Sequence, residues 1–251
     1  MRQLRAAVVI LCLALAASPA FADVTMKMTQ SMSGGPMAVD MAVVAYISGL
    51  KMRSDVKVMD QDMSLFVDVA AKQQLLVNNT TKEVQDPAAA MANMPMGLGE
   101  VRVSIKPTGQ TKQVLGQTCA GFAVEVAIPM TMGDETLTVS TTGTVWLAKD
   151  APGAAEYQAF TKAATTAGLA TTPFTQGPQA KSMFELQAAI SESGIPLEQD
   201  MQIGMTGTGK MAEMVAQSGM GAMRMKMTVT EISVNAIPAE TLAVPAWAVK
   251  K

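Results

Sequence analysis

The stretch Met220-Gly-Ala-Met-Arg-Met-Lys-Met-Thr-Val-Thr-Glu-Ile-Ser-Val234 decides how the chain is read. From Ala222 onward its residues alternate, with Met223, Met225, Met227 and Val229 on one side and Arg224, Lys226 and Thr228 on the other. A period of two places alternate side chains on opposite faces of a β-strand, so this is a long strand with one apolar face. Its apolar face is made of thioethers, which ties the architecture to the main oddity of composition. Of 251 residues 23 are methionine, aromatic residues make up 4% and histidine is absent.

Working outward, the same period recurs. Val101-Arg-Val-Ser-Ile105, the set Phe122, Val124, Val126 and Ile128, the set Leu65, Val67 and Val69, and the pair Leu137 and Val139 all read as half-buried strands. Gly133-Asp134 marks a hairpin turn, and Asn78-Asn79, Pro107-Thr-Gly109 and Ser33-Gly-Gly-Pro36 mark further turns. Strands joined by short turns favour an antiparallel sheet. After Trp146 the period changes. Asp150-Ala-Pro152 reads as a helix start, Tyr157, Phe160, Ala164 and Ala167 as its apolar face, and Gly168 as its stop. A second helix is expected over 179–192 with Met183, Leu186 and Ile190 inward, then a strand over 197–206. A short helix over 210–218 follows, with Thr208 as its cap and Met211, Met214 and Val215 on one face. Pro87 to Gly99 fits a short helix or a loop, and the chain ends in an extended, proline-marked tail. The expectation is an α+β fold: a curved antiparallel sheet with two or three helices covering one face.

The N-terminus reads as an export signal. Arg2 and Arg5 precede an apolar run from Ala6 to Ala17, and Ala20-Phe21-Ala22 forms a small-x-small cleavage site. The run is too short to span a bilayer comfortably. Residues 1–22 are therefore expected to be a secretory signal peptide, and residues 23–251 a single periplasmic α+β domain. Leu11 before Cys12 does not fit a lipobox, and Cys12 leaves with the signal. Cleavage removes two of the 19 basic residues and none of the 21 acidic ones, leaving a mildly acidic chain without a basic patch for nucleic acid. Cys119 then stands alone and cannot form an intramolecular disulfide; a small apolar core residue is the simplest reading.

Catalytic signatures are scarce. Without histidine there is no Ser–His or Cys–His pair and no His-containing zinc pattern. Asp60/Asp62 and Asp134/Glu135 read as solvated turn charges rather than an acid–base pair. Gly204-Met-Thr-Gly-Thr-Gly-Lys210 approaches a phosphate-binding loop, but Met211 stands where Ser or Thr should hold magnesium. The expectation is a non-enzyme without a cofactor.

The methionines recur as Met-x-Met and Met-x-x-Met, including Met26/Met28, Met223/Met225/Met227 and Met211/Met214. On a strand the first spacing keeps both thioethers on one face, and on a helix the second does. Three readings follow. Methionine can simply fill the core. It can form a deformable lining for an acyl chain or another apolar guest, with Met26, Met28, Met211, Met214, Met223, Met225 and Met227 as ligand-binding residues. It can hold a soft ion such as Cu(I) or Ag(I). The alternation with Lys, Arg and Thr suits half-buried strands and favours the first two readings. An envelope structural domain without a ligand is the further alternative.

The run Val103-Ser-Ile-Lys-Pro-Thr-Gly-Gln-Thr-Lys-Gln-Val-Leu-Gly-Gln-Thr-Cys119-Ala-Gly-Phe122 is distinctive. Together with Lys51-Met-Arg-Ser-Asp55 and Val145-Trp-Leu-Ala-Lys-Asp150, it resembles a bacterial exported family known as domain of unknown function 4412. Pro107, Thr108, Thr111, Lys112, Cys119, Phe122 and Trp146 occupy the shared positions, over roughly residues 40 to 165. The resemblance implies a lipoprotein-carrier-like fold, an incomplete β-barrel with helices over its concave side. It also implies a periplasmic partner such as a lipid or a lipoprotein acyl chain, without assigning an activity.

Overall fold

In the computed structural model, residues 23–34, 38–86, 97–132, 134–169, 180–218 and 222–249 are described. The signal-peptide reading, most of the 87–99 segment, Gly133 and part of the Ser33–Pro36 turn lie outside them.

Among the described residues, twelve strands form one sheet. In chain order they are β1 (Val24–Ser33), β2 (Val39–Ser48), β3 (Lys51–Val58), β4 (Gln61–Asp68), β5 (Gln73–Asn78), β6 (Glu83–Gln85), β7 (Gly97–Leu98), β8 (Arg102–Val114), β9 (Gln117–Met132), β10 (Glu135–Ala148), β11 (Ile195–Gly207) and β12 (Ala222–Ser233). The spatial order is β6-β5-β4-β3-β2-β1-β12-β11-β10-β9-β7, with β8 also on β9. All pairings are antiparallel, and the path does not return on itself, so the sheet is open and not a closed barrel. Three helices are described: α1 (Ala154–Thr166), α2 (Ala180–Ser193) and α3 (Gly209–Ser218).

The first strand pairs with the last. Met28 lies opposite Val229, Gln30 opposite Met227 and Met32 opposite Met225. A bulge at Lys27/Met28 leaves Thr230 unpaired in the ladder, and its hydroxyl donates to the Lys27 carbonyl at 3.2 Å.

Two apolar clusters occupy one face of the sheet, which we call the inner face. Beneath α1, Phe160 and Ala164 pack with Val24, Met26, Ile47, Leu197, Met227 and Val229. Beneath α2, Leu186 packs with Val124, Val126, Ile128, Val145 and Met201. α1 ends as its sequence suggests. Gly168 takes φ +73°, its N–H donates to the Thr165 carbonyl, and the Leu169 N–H donates to the Ala164 carbonyl at 2.9 Å. That is a Schellman stop, with Leu169 packed on the core.

Its start differs from the sequence reading. Gly153, in the left-handed region, takes the cap position and provides no side-chain cap; Asp150 and Pro152 precede it. A Cβ on Gly153 would come within 2.5 Å of the Val24 side chain, so packing against β1 selects glycine there. The cap of α3 differs as well. Glu135, from the β9–β10 hairpin, accepts from the Lys210 N–H at 3.0 Å, while the Thr208 hydroxyl accepts from the Thr136 N–H. A tertiary carboxylate thus satisfies an orphan donor of the first turn.

The C-terminal segment crosses the opposite, outer face. Phe66, Val77, Leu75 and Val84 face outward and are covered by Val244 and Ala248. Arg53 donates to the Thr241 carbonyl at 3.0 Å, and Lys82 Nζ sits 4.8 Å from the Trp247 ring centroid. At this end β4 is buried on both faces, by Val67 inward and Phe66 outward.

Candidate functional site: a charge-free thioether face

Register places the inner-face residues in rows that cross the sheet, because directly paired residues share a face. One row runs Met41, Gln30, Met227, Gln199, Val145, Phe122. The next runs Val39, Met32, Met225, Met201, Gly143, Val124, Ile105. A third runs Met223, Ile203, Thr141, Val126, Val103. Beside the first row lies Val43, Met28, Val229, and beyond it Ala45, Met26, Ile232.

Across β2, β1, β12, β11, β10, β9 and β8, these rows contain no charged residue. Their uncharged polar side chains are Gln30, Gln199 and Thr141. The outer face of the same strands is the reverse: one row reads Asp40, Ser31, Lys226, Asp200, Thr144, Ala123, Lys106.

Met26 and Met227 are buried, and Met28, Met223 and Met225 are half-buried, all on the inner face. The sequence stripes therefore converge on one surface. Met211 and Met214 fall on α3, but their side chains lie outside the described residues. Strand pairing adds Met32, Met41, Met201 and Met205, which sequence spacing did not single out. Met32 continues the period of β1 beyond Gln30, Met201 and Met205 share one face of β11, and Met41 lies on β2; register brings all four onto the surface of the stripes.

Local chemistry fixes two of the sulfurs. The Gln30 amide donates to the Met225 sulfur at 3.1 Å, drawing it toward β1. The Met201 sulfur lies on the opposite side, over Gly143, where a Cβ would stand 2.9 Å from it. The two neighbouring sulfurs thus lean apart rather than toward one point. Two grooves open on the outer face instead. One of about 380 Å³ is lined by Ser33, Ser140, Thr142, Gln202 and Arg224, and one of about 640 Å³ by Thr29, Ser31, Asp40, Lys226 and Thr228. Arg224 is engaged there by Asp200 through two contacts of 2.7 and 2.5 Å. Its guanidinium holds the Asp200 carboxyl below the ordinary carboxylate range.

The residues behind the family resemblance meet at the β8–β9–β10 hairpins. Lys112 Nζ stands 4.4 Å over the Trp146 ring and pairs with Glu198 at 2.6 Å. Trp146 rests on Gly121, where a Cβ would come within 2.9 Å of the ring, and the Thr108 hydroxyl donates to the Gly121 carbonyl. Cys119 pairs with Lys112 in register and is fully buried in the core; that burial pushes its thiol pKa up. This constellation braces a hairpin and offers no activated nucleophile. Among the described residues no group of three or more Cys, Asp or Glu side chains could hold a metal ion, and no helix is long and apolar enough to cross a membrane.

No family model matches the chain, so the resemblance to family 4412 is not confirmed, and no curated protein matches it. Among solved structures it is similar to a domain named as an outer membrane lipoprotein-sorting protein from Vibrio parahaemolyticus, at 6% identity and TM-score 0.36, over 93% of this chain and 94% of that one. It is also similar to a DUF1329 family protein from Desulfovibrio piger, at 6% identity and TM-score 0.34, over 95% and 96% of the two chains. Likeness of this degree does not transfer function.

Proposed function

We propose that the protein is a non-catalytic, exported binder of an apolar group, such as an acyl chain, held on the thioether face of the sheet beneath the helices. The observation that supports this most is the absence of charge, among the described residues, from the inner-face rows across seven adjacent strands, together with their concentration of methionine. A core that only needs filling is served by Leu, Ile and Val, whose rotamers are well defined. Unbranched thioethers instead re-pack around guests of different shape at little rotamer strain. Met28, Met32, Met41, Met223 and Met225 are half-buried, so guest contact requires displacement of cover over only part of the face. The export signal read in residues 1–22 would deliver such a binder to the periplasm.

A soft-ion site is the less favoured reading, because the Met225 and Met201 sulfurs lean to opposite sides. The test is titration with the fluorescent apolar probe N-phenyl-1-naphthylamine. Saturable binding at micromolar concentration is expected. Met225→Lys, which places a charge on the inner face, should weaken it at least tenfold, while Thr142→Lys on the outer face leaves it unchanged. A far-UV spectrum checks folding, and Met225→Gln replaces the lysine variant if that fails to fold. Absence of saturable binding, or equal loss in both lysine variants, rejects the proposal.

A further inference from the structure

The inner face is not uniformly apolar, and its polar interruptions are specific. Gln30 and Gln199 occupy the same cross-sheet row on either side of Met227. Both are half-buried, in a surface where every other residue of the row is apolar. The Gln30 amide donates to a sulfur, at 3.1 Å from Met225. A thioether is a weak acceptor, so a carbonyl oxygen brought to this point is a better partner for that N–H. β1 and β11 are separated by β12 alone, so the two amides start about 9.6 Å apart at the backbone, two strand spacings. The pair brings both donors and acceptors, and no formal charge, to the middle of the apolar surface.

A face of this kind discriminates by charge. An ionised carboxylate placed there would be desolvated without an ammonium or guanidinium to pair with, whereas a neutral carbonyl needs only a donor. We infer that the guest is a neutral acyl ester or amide rather than a free fatty acid, with its carbonyl and neighbouring polar atoms set between Gln30 and Gln199 and its chain along the methionines. A glycerol ester suits the separation of the two amides, since the ester and its adjacent hydroxyls give polar atoms spread over several bonds. This rests on the apolar-guest reading above, and goes further in naming the chemistry of the head.

The experiment is competition against bound N-phenyl-1-naphthylamine at pH 8, using laurate and its glycerol monoester, below the micellar range of either. The ester is expected to displace the probe at a concentration at least tenfold lower than laurate. In the Gln30→Leu/Gln199→Leu variant the probe should still bind and the preference should fall to within threefold. Gln30→Met with Gln199→Met serves as a second variant with the same expectation. Equal displacement by the two lipids, stronger displacement by laurate, or a preference that survives in both variants overturns the inference and leaves the apolar-guest reading standing. A wild-type protein that does not bind the probe overturns both.

Discussion

Replacing Gly143 by alanine tests the sheet geometry on which the inner-face assignment rests. Glycine inside a strand is ordinarily a weakness, and alanine there stabilises by about 0.5–1 kcal/mol where there is room. Room is absent here. A Cβ at this position would lie 2.1 Å from the Asp200 carbonyl oxygen, 2.8 Å from the Met201 Cα and 2.9 Å from the Met201 sulfur. The sulfur can swing away, but the carbonyl and the Cα belong to the paired strand. Restoring ordinary contact with the oxygen means moving β11 by roughly 1 Å, at the price of the ladder that also positions Met201 and Ile203. Overpacking of this kind destabilises by about 1–3 kcal/mol, and contact with backbone places it in the upper half of that range. The steric term therefore exceeds the propensity gain. The net expectation is a loss of about 2 kcal/mol, a fall in Tm of roughly 4–8 °C for a chain of this size. Thermal melts and urea titrations followed by circular dichroism measure it. Adding Met201→Ala should restore little, because the sulfur is the lesser obstacle. A variant as stable as the parent, or more so, would refute the pairing of Gly143 with Met201, and with it the rows described above.

Two further outcomes follow from the structure. Leu115 and Gly116 form the two-residue β8–β9 turn with φ of +51° and +72°, and Leu115 is exposed; Leu115→Asn should therefore stabilise by about 0.5–1 kcal/mol in urea titration, since asparagine tolerates the left-handed region and leucine does not, and a destabilised variant would contradict the turn. Acid should weaken the fold in a defined window: Asp200 is held down chiefly by its hydrogen bonds from Arg224, and Asp68 chiefly by the Ala71 N–H, so each contributes stability above the unfolded-state value of about 3.9 and loses it as pH falls through its lower folded-state value. The urea midpoint of the parent should exceed that of Asp200→Asn by a small margin at pH 6, as expected of a partly exposed pair, and the gap should close near pH 2; a gap that widens toward acid would reverse the sign of the argument.

What could be read from the chain alone was whatever is local. The thioether stripe on β12 and the pair on β1 are visible as a period of two, and the stop of α1 as a glycine after an apolar face. What could not be read is carried by contacts between distant segments. Met41, Met201 and Met205 join the stripes of β1 and β12 only through strand pairing, and Glu135, read as a solvated turn charge, reaches α3 through the β9–β10 hairpin. Phe66 interrupts an alternating strand because the C-terminal segment buries it from the other side. Met59 and Leu115 both take positive φ, a conformation their side chains disfavour, so neither residue type marks its own turn position. Gln30 and Gln199 likewise look like ordinary surface residues until register sets them in one row.

The pairing of β1 with β12 joins residues as far apart as Thr25 and Ser233 through the middle of the sheet. During synthesis, the N-terminal strands β1 to β6 can zip up locally through hairpins, as can β8 to β10, and β11 joins β10 after α1 and α2, but the seam between the two groups waits for β12. Until β12 arrives, β1 and β11 present two long unpaired edges, a state prone to wrong pairing. β12 thus acts as a keystone. The inner face is continuous from β11 to β1 only once residues 222–233 have been made and paired.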